Sequence, residues 1–175
     1  MSKEHANLPS EIHTSPLDLP TVARTGSFLA NYSALPSTID APAICTWSLA
    51  DVKGRAKLHQ AINGKSVTLW DMCEQGPFAF EVTDLAAHFA SYESEDKPGE
   101  IVEGPRICMI GPKGVYQSGS EYVFRALQEL AKLEGLPPWN PPVVLCATRL
   151  PTRNKHVRMA LELIDRGEPI EDVKT

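Results

Sequence analysis

Apolar positions along this chain change period several times, and each change marks an element. Over residues 65–73, Val67 and Leu69 alternate with Ser66, Thr68 and Trp70, the period of two expected of a strand. The run Glu74-Gln75-Gly76-Pro77 is a turn signal, and Phe78, Phe80 and Val82 then alternate with Ala79, Glu81 and Thr83. This second strand is expected to run on through LAAHFASY, with a bend near Asp84 and Leu85. The segments RICMI (106–110) and GVYQS (114–118) flank Gly111-Pro112-Lys113-Gly114 and predict a hairpin or one kinked strand. From Ser120 the period becomes helical: Val123, Phe124, Leu127, Leu130, Ala131 and Leu133 form one stripe, and Gly135 ends it. After the stiff connector LPPWNPP, strands over residues 143–150 and 156–164 close around the turn 151–155. Upstream, Ser48 as N-cap and Asn63-Gly64 as stop predict a further helix, interrupted by Gly54.

Strand, strand, strand, helix, strand, strand is the order of the OB-fold, a five-stranded Greek-key barrel with one helix between the third and fourth strands. The expected fold is therefore mainly β, with an OB-fold domain and its leading helix over residues 44–164. Residues 1–43 hold Pro9, Pro16, Pro20, Pro36 and Pro42 with no sustained period, which predicts a flexible arm. Within it, SFLANY (27–32) is the part suited to dock on the barrel or on another subunit. Residues 165–175 read as an acidic tail, and residues 93–105 as a polar, acidic loop.

Composition narrows the classes. The net charge of -5 opposes a uniformly basic nucleic-acid coat but not a local basic patch. No apolar run has the length of a membrane span, and a charged start followed by an apolar block is missing at the N-terminus. Those features predict a cytoplasmic protein in a reducing compartment. Cys45, Cys73, Cys108 and Cys146 are scattered, which predicts reduced thiols, three of them in or beside apolar strands, and no metal site. Phosphate-binding glycine loops, G-x-S-x-G and H-E-x-x-H are all missing, so neither catalysis nor a cofactor is expected.

The clearest chemical asymmetry is the last hairpin. Arg149, Arg153, Lys155 and Arg158 lie close together, and no acid interrupts residues 143–161. In an OB-fold the loop between strands four and five borders the groove where single-stranded nucleic acid lies. Such a rim would track phosphates, with Arg106 as a further contact and Lys65 and Lys113 as weaker ones. Aromatic rings supply the other half of single-strand binding, because bases stack on them whatever their sequence. Trp70 and Tyr116 alternate away from core neighbours and are the candidate platforms. For Trp70 the alternative is packing beneath the arm or the leading helix. Phe78 shares the core phase of Phe80, and Trp139 between prolines reads as a plug at one end of the barrel. A solvated positive turn is the plain reading of the basic block.

GKSVTLWDM, the GPF turn, RICMIGPKGVYQSGSEYVFRALQEL and PPVVLCATRLPTRNKHVRMALEL together resemble the small single-stranded-DNA-binding OB proteins of bacteriophages and mobile elements. The likeness covers about residues 64–164 and rests on the order of its pieces. These are a G-K-x-V-x-L strand, a G-P-F turn, the small polar cap Ser118-Gly119-Ser120, a P-x-x-V strand and a basic final turn. It implies binding of single-stranded DNA during replication or recombination, without catalysis. The acidic tail would then suit a replication protein as partner, and the arm or the barrel edges would suit self-association. The competing expectation is an OB-like interaction module or structural subunit whose ligand is another protein.

Overall fold

The computed structural model describes residues 29–94, 97 and 99–167. In chain order the elements are β1 (Ile44–Cys45), α1 (Val52–Asn63), β2 (Ser66–Thr68), α2 (Leu69–Met72), β3 (Phe78–Val82), β4 (Asp84–Glu93), β5 (Ile101–Gly111), β6 (Gly114–Ser118), α3 (Glu121–Glu134), β7 (Val143–Pro151) and β8 (Val157–Arg166). Among the described residues a 3-10 turn, Tyr32–Ala34, precedes them. The fold is mainly β, with the strands in two sheets of order β1-β4-β5-β6-β2 and β3-β7-β8. All pairings are antiparallel except that of β2 with β6, which is parallel.

β3 and β4 are one length of chain, bent at Thr83, and that bend hands the chain from the second sheet to the first. The Thr83 N–H (2.8 Å) and hydroxyl (3.1 Å) both donate to the Ile110 carbonyl. Its own carbonyl accepts from the Trp139 N–H at 2.8 Å. Asp84, next in line, is buried and accepts from Lys57 Nζ at 2.7 Å and Thr46 Oγ1 at 3.4 Å, which ties α1 and β1 to the bend. The main core lies between the sheets and α3, built on Phe80, Val82, Leu85, Ile107, Met109, Phe124, Leu127 and Leu145. Trp139 is buried there too, its indole N–H donating to the Gly135 carbonyl at 2.9 Å, so the connector does plug this core. A smaller cluster of Cys45, Leu49, Leu58, Ala86 and Cys108 sits under α1. The first sheet is thus covered on both faces, because neighbours along β4 and β5 alternate between the two clusters.

Several expectations change. No ladder joins β6 to β8, so the closed five-stranded barrel is replaced by two sheets; β2 takes the free side of β6 instead. The segment 65–73 is a strand only over Ser66–Thr68. Thr68 Oγ1 then accepts the Asp71 N–H at 3.1 Å and starts the helical turn α2. The leading helix begins at Val52 under an Asp51 cap, since the Asp51 carboxylate accepts the Gly54 N–H at 2.6 Å. The acidic stretch is shorter than a 93–105 loop, because β5 already starts at Ile101. β8 runs to Arg166, past the start expected for the acidic tail, and residues 168–175 lie outside the described residues. Of SFLANY, the end does dock: Leu29 is buried and Tyr32 meets Phe124 edge-on with ring centroids 5.3 Å apart. Residues 1–28, including Ser27 and Phe28, lie outside the described residues. The helix from Ser120 to Gly135 forms as expected, and Gly135 adopts the positive φ of 81° that suits glycine at a helix end.

β5 passes so close to the bend that a side chain at Gly111 would collide with the Glu81 carbonyl oxygen. Gly111→Ala is expected to lower stability by about 1–3 kcal/mol, the usual cost of overpacking. Gly104→Ala, whose methyl would lie 3.8 Å from the Tyr92 hydroxyl, is expected to be near neutral. Urea midpoints at unchanged m-value report both.

Candidate nucleic-acid interface

A cleft of about 390 Å³ opens where four distant segments of the chain meet. Trp70 of α2 contributes one wall, and Tyr92, Ser94 and Val102 at the β4–β5 end contribute another. Residues Gly119 to Tyr122 at the start of α3 and Val157 to Met159 at the start of β8 complete it. Gly119 lets the Tyr92 ring approach closely: a Cβ on it would lie 2.7 Å from the Tyr92 hydroxyl, which would then have to shift.

Each ring in the cleft is matched with an arginine. The Arg149 guanidinium lies 4.2 Å from the Trp70 ring centre, and its Nε and Nη2 donate to the Trp70 carbonyl. The Arg158 guanidinium lies 5.2 Å from the centre of Tyr122, and that of Arg106 lies 3.5 Å from Tyr92. Such contacts stabilise by roughly 0.5–1 kcal/mol at exposed sites and by more when desolvated. Their larger effect is to hold planar rings in fixed places on a polar wall. Trp70 is half-buried at the margin of the main core, so one part of its indole packs inward while another lines the cleft.

Of the residues singled out from the sequence, Trp70 and Arg158 line the cleft directly. Arg149 stands behind Trp70 as its support. Arg153 and Lys155 are exposed on the β7–β8 turn, beside the segment where β8 enters the cleft wall. That turn is closed by Thr152 N–H to His156 carbonyl (2.7 Å) and Lys155 N–H to Thr152 carbonyl (3.1 Å), with Lys155 at φ 62°. Lys113 lies in the β5–β6 turn, at the end of β6 remote from Gly119, and pairs with Glu81 at 3.6 Å.

Two site expectations are overturned. Tyr116 is 8% exposed and packs against Phe80 (4.7 Å) and Phe78 (5.6 Å), so it belongs to the core and offers no stacking face. Alternation failed because both faces of this sheet are covered: Val115 packs into the cluster under α1 and Tyr116 into the main core. Arg106 is 5% exposed, too deep for a phosphate, and works instead as the cation against Tyr92. The rings missed in the sequence are Tyr92 and Tyr122. Tyr122 did carry a signal, since it sits off the apolar stripe of α3 and is half exposed.

The electrostatic setting is two-sided. Arg153, Lys155 and Arg158 lie on the β7–β8 side, while Glu93, Glu100 and Glu103 lie on the β4–β5 side. Glu121, which also lines the cleft, is engaged by Arg125 at 2.5 Å. Among the described residues no group of His, Cys, Asp and Glu is arranged to hold a metal ion, and no helix is long and apolar enough to cross a membrane. Family profiles, curated proteins and solved structures were compared with this chain, and none matches it.

Burial holds the His88 imidazole below its ordinary value of 6.5, and Arg106, its cross-strand neighbour, adds to that depression against the pull of the Phe89 carbonyl. The unfolded chain therefore binds the His88 proton first. Stability is expected to fall as pH drops below 6.5, until the folded-state value is passed, and His88→Gln is expected to remove that component from the urea midpoint measured against pH. Thiol reactivity provides a separate check. Burial pushes the Cys108 thiol up to about 12, and Cys45 and Cys73 are also buried and raised. Ellman's reagent at pH 8 is expected to label Cys146 in the folded protein well before the other three, and equal labelling rates would contradict the packing.

Proposed function

We propose that this protein binds single-stranded DNA with little sequence preference, holding bases against Trp70, Tyr122 and Tyr92 and phosphates against Arg158, Arg153 and Lys155. The biological setting proposed is cytoplasmic replication or recombination of a phage or mobile element, where the bound strand is protected without catalysis or cofactor. One observation carries the reading: the cleft brings three aromatic rings together, each backed by an arginine, beside the basic β7–β8 turn.

Strand order supports it. With β3 and β4 counted as one bent strand and the short β1 and β2 set aside, five strands remain, with α3 between the third and fourth. The first pairs with the second (β5) and with the fourth (β7), the second with the third (β6), and the fourth with the fifth (β8). A partly open Greek-key barrel of the OB type has this arrangement, and its ligands lie between the first-second and fourth-fifth loops. In this chain those loops are β4–β5 and β7–β8, the two that border the cleft. The segment 65–73, read from the sequence as strand one, is an addition whose Ser66–Thr68 pairs alongside β6.

Tryptophan emission titrated with oligo-dT tests the proposal. Saturable quenching is expected at low salt. Contact of Arg153, Lys155 and Arg158 with three phosphates sets a log–log salt slope of about −2. Tyr122→Ala is expected to weaken binding by ~1–3 kcal/mol, the value of one stacked base. The paired change Arg153→Glu with Lys155→Glu is expected to flatten the salt slope and lower affinity strongly. Absence of quenching at low salt would sink the proposal. An unaffected affinity in the charge-reversed variant would point to the protein-binding alternative.

A further inference from the structure

Lys65 and Lys113 are far apart in the sequence and lie outside the cleft, yet the fold brings them together. β2 pairs parallel with β6 and sets Ser66 opposite Val115, so Lys65 stands beside Gly114, next to the β5–β6 turn that carries Lys113. A groove of about 290 Å³ opens there, lined by Lys57, Gln60 and Ala61 of α1 and by residues 110–115 around the turn. Its cations are not equally free. Lys57 is held by the buried Asp84 carboxylate at 2.7 Å. Lys113 meets Glu81 only at 3.6 Å with its side chain 76% exposed, a pair of the kind that contributes little in water. Lys65 is exposed and forms no ion pair among the described residues.

The chain around Lys65 is basic over a long run. From Val52 to Trp70 it carries Lys53, Arg55, Lys57 and Lys65 and no acid, although the whole protein has a net charge of -5. This is a second acid-free block beside the one at 143–161, and the two meet where the Arg149 guanidinium lies over Trp70. β2 and α2 lead from Lys65 to Trp70 in the cleft wall, and β6 runs alongside in the same direction from the Lys113 turn to Gly119. α1 is tied to the middle of this run, because Gln117 Nε2 donates to the Ala61 carbonyl at 3.3 Å.

We propose that a single strand longer than the cleft leaves it past Trp70, follows β2, and sets further phosphates against Lys65 and Lys113. This track rests on the reading of the cleft given above and extends it to a second contact region. Lysine suits the task, since a compact charge on a flexible stem follows a backbone without reading its bases. Lys113 and Gly119 are about 20 Å apart along β6, so only a strand that overhangs the cleft reaches the two lysines. Such a reach falls within the ~4–16 nucleotides that one OB-fold covers.

Two lengths of oligo-dT separate the cleft from the track. Tryptophan quenching is titrated at several salt concentrations with strands of about five and about fifteen nucleotides. In the wild-type protein the short strand is expected to show the slope of about −2 set by the β7–β8 cations, and the long strand a slope of about −3.5. The paired change Lys65→Gln with Lys113→Gln is expected to return the long strand to about −2 and to leave the short strand as it was. Lys65→Gln alone, which removes no ion pair, is expected to flatten the long-strand slope by ~0.7. Equal slopes for the two lengths in the wild-type protein overturn the proposal and leave the cleft standing. So does a long-strand slope indifferent to both changes, or a loss in the Lys65→Gln protein that is the same for both lengths. Failure of either length to quench at low salt removes the cleft reading, and the track with it.

Discussion

The hydrogen bonds at Thr83 and the ion pair at Asp84 are the constraint on which the remaining architecture rests. One strand serves two sheets only if it bends sharply, and a bend interrupts ladder pairing where the backbone is buried. The Thr83 donors and its carbonyl are all satisfied, by Ile110 and Trp139, so no buried backbone group is left bare at this point. Asp84 is more demanding. A carboxylate at 5% exposure is stable there only with compensation, and Lys57 of α1 with Thr46, just after β1, provides it. The same contacts that permit the bend thus recruit the leading helix to cover the outer face of the first sheet.

From that bend the cleft follows geometrically. β4 and β5 carry Tyr92 and the β4–β5 loop to one side, while β7 and β8 carry the basic turn to the other. α3 begins between them at Gly119, and its apolar stripe anchors it to both sheets. The opening is left because β6 pairs with β2 rather than with β8. The cations then act in two distinct ways. Arg106 and Arg149 are held inside or half inside, and fix rings. Arg153 and Lys155 face solvent and set the field, and Arg158, exposed yet set over Tyr122, does both. Removing a supporting arginine would therefore blur stacking geometry, whereas removing a solvent-facing one would change the salt dependence.

What could be read along the chain followed from how local each signal was. α3 was legible because its cap position, stripe and glycine stop lie in one continuous stretch. β3, β7 and β8 were legible because only one of their faces lies in the main core, so alternation survives. The period-of-two rule failed on β6, where Val115 and Tyr116 are drawn to opposite cores. It failed again at Leu69 and Trp70, because one threonine hydroxyl turned the chain into a helical turn too short to show a period. The cleft had no local signature, since its walls come from segments around residues 70, 92–102, 119–122 and 157–159. The basic turn lies beside the cleft, whereas two of the cleft's rings, Tyr92 and Tyr122, lie elsewhere in the sequence.

The central claim is that the indole of Trp70, alone among the three tryptophans, faces a ligand. Trp47 and Trp139 have their indole N–H groups committed to the Gly54 and Gly135 carbonyls, each at 2.9 Å. They serve as internal references. In a proton–nitrogen correlation spectrum titrated with oligo-dT, the Trp70 indole signal is expected to move and saturate while those of Trp47 and Trp139 stay in place. A static Trp70 signal, or movement of the two references without it, would contradict the account.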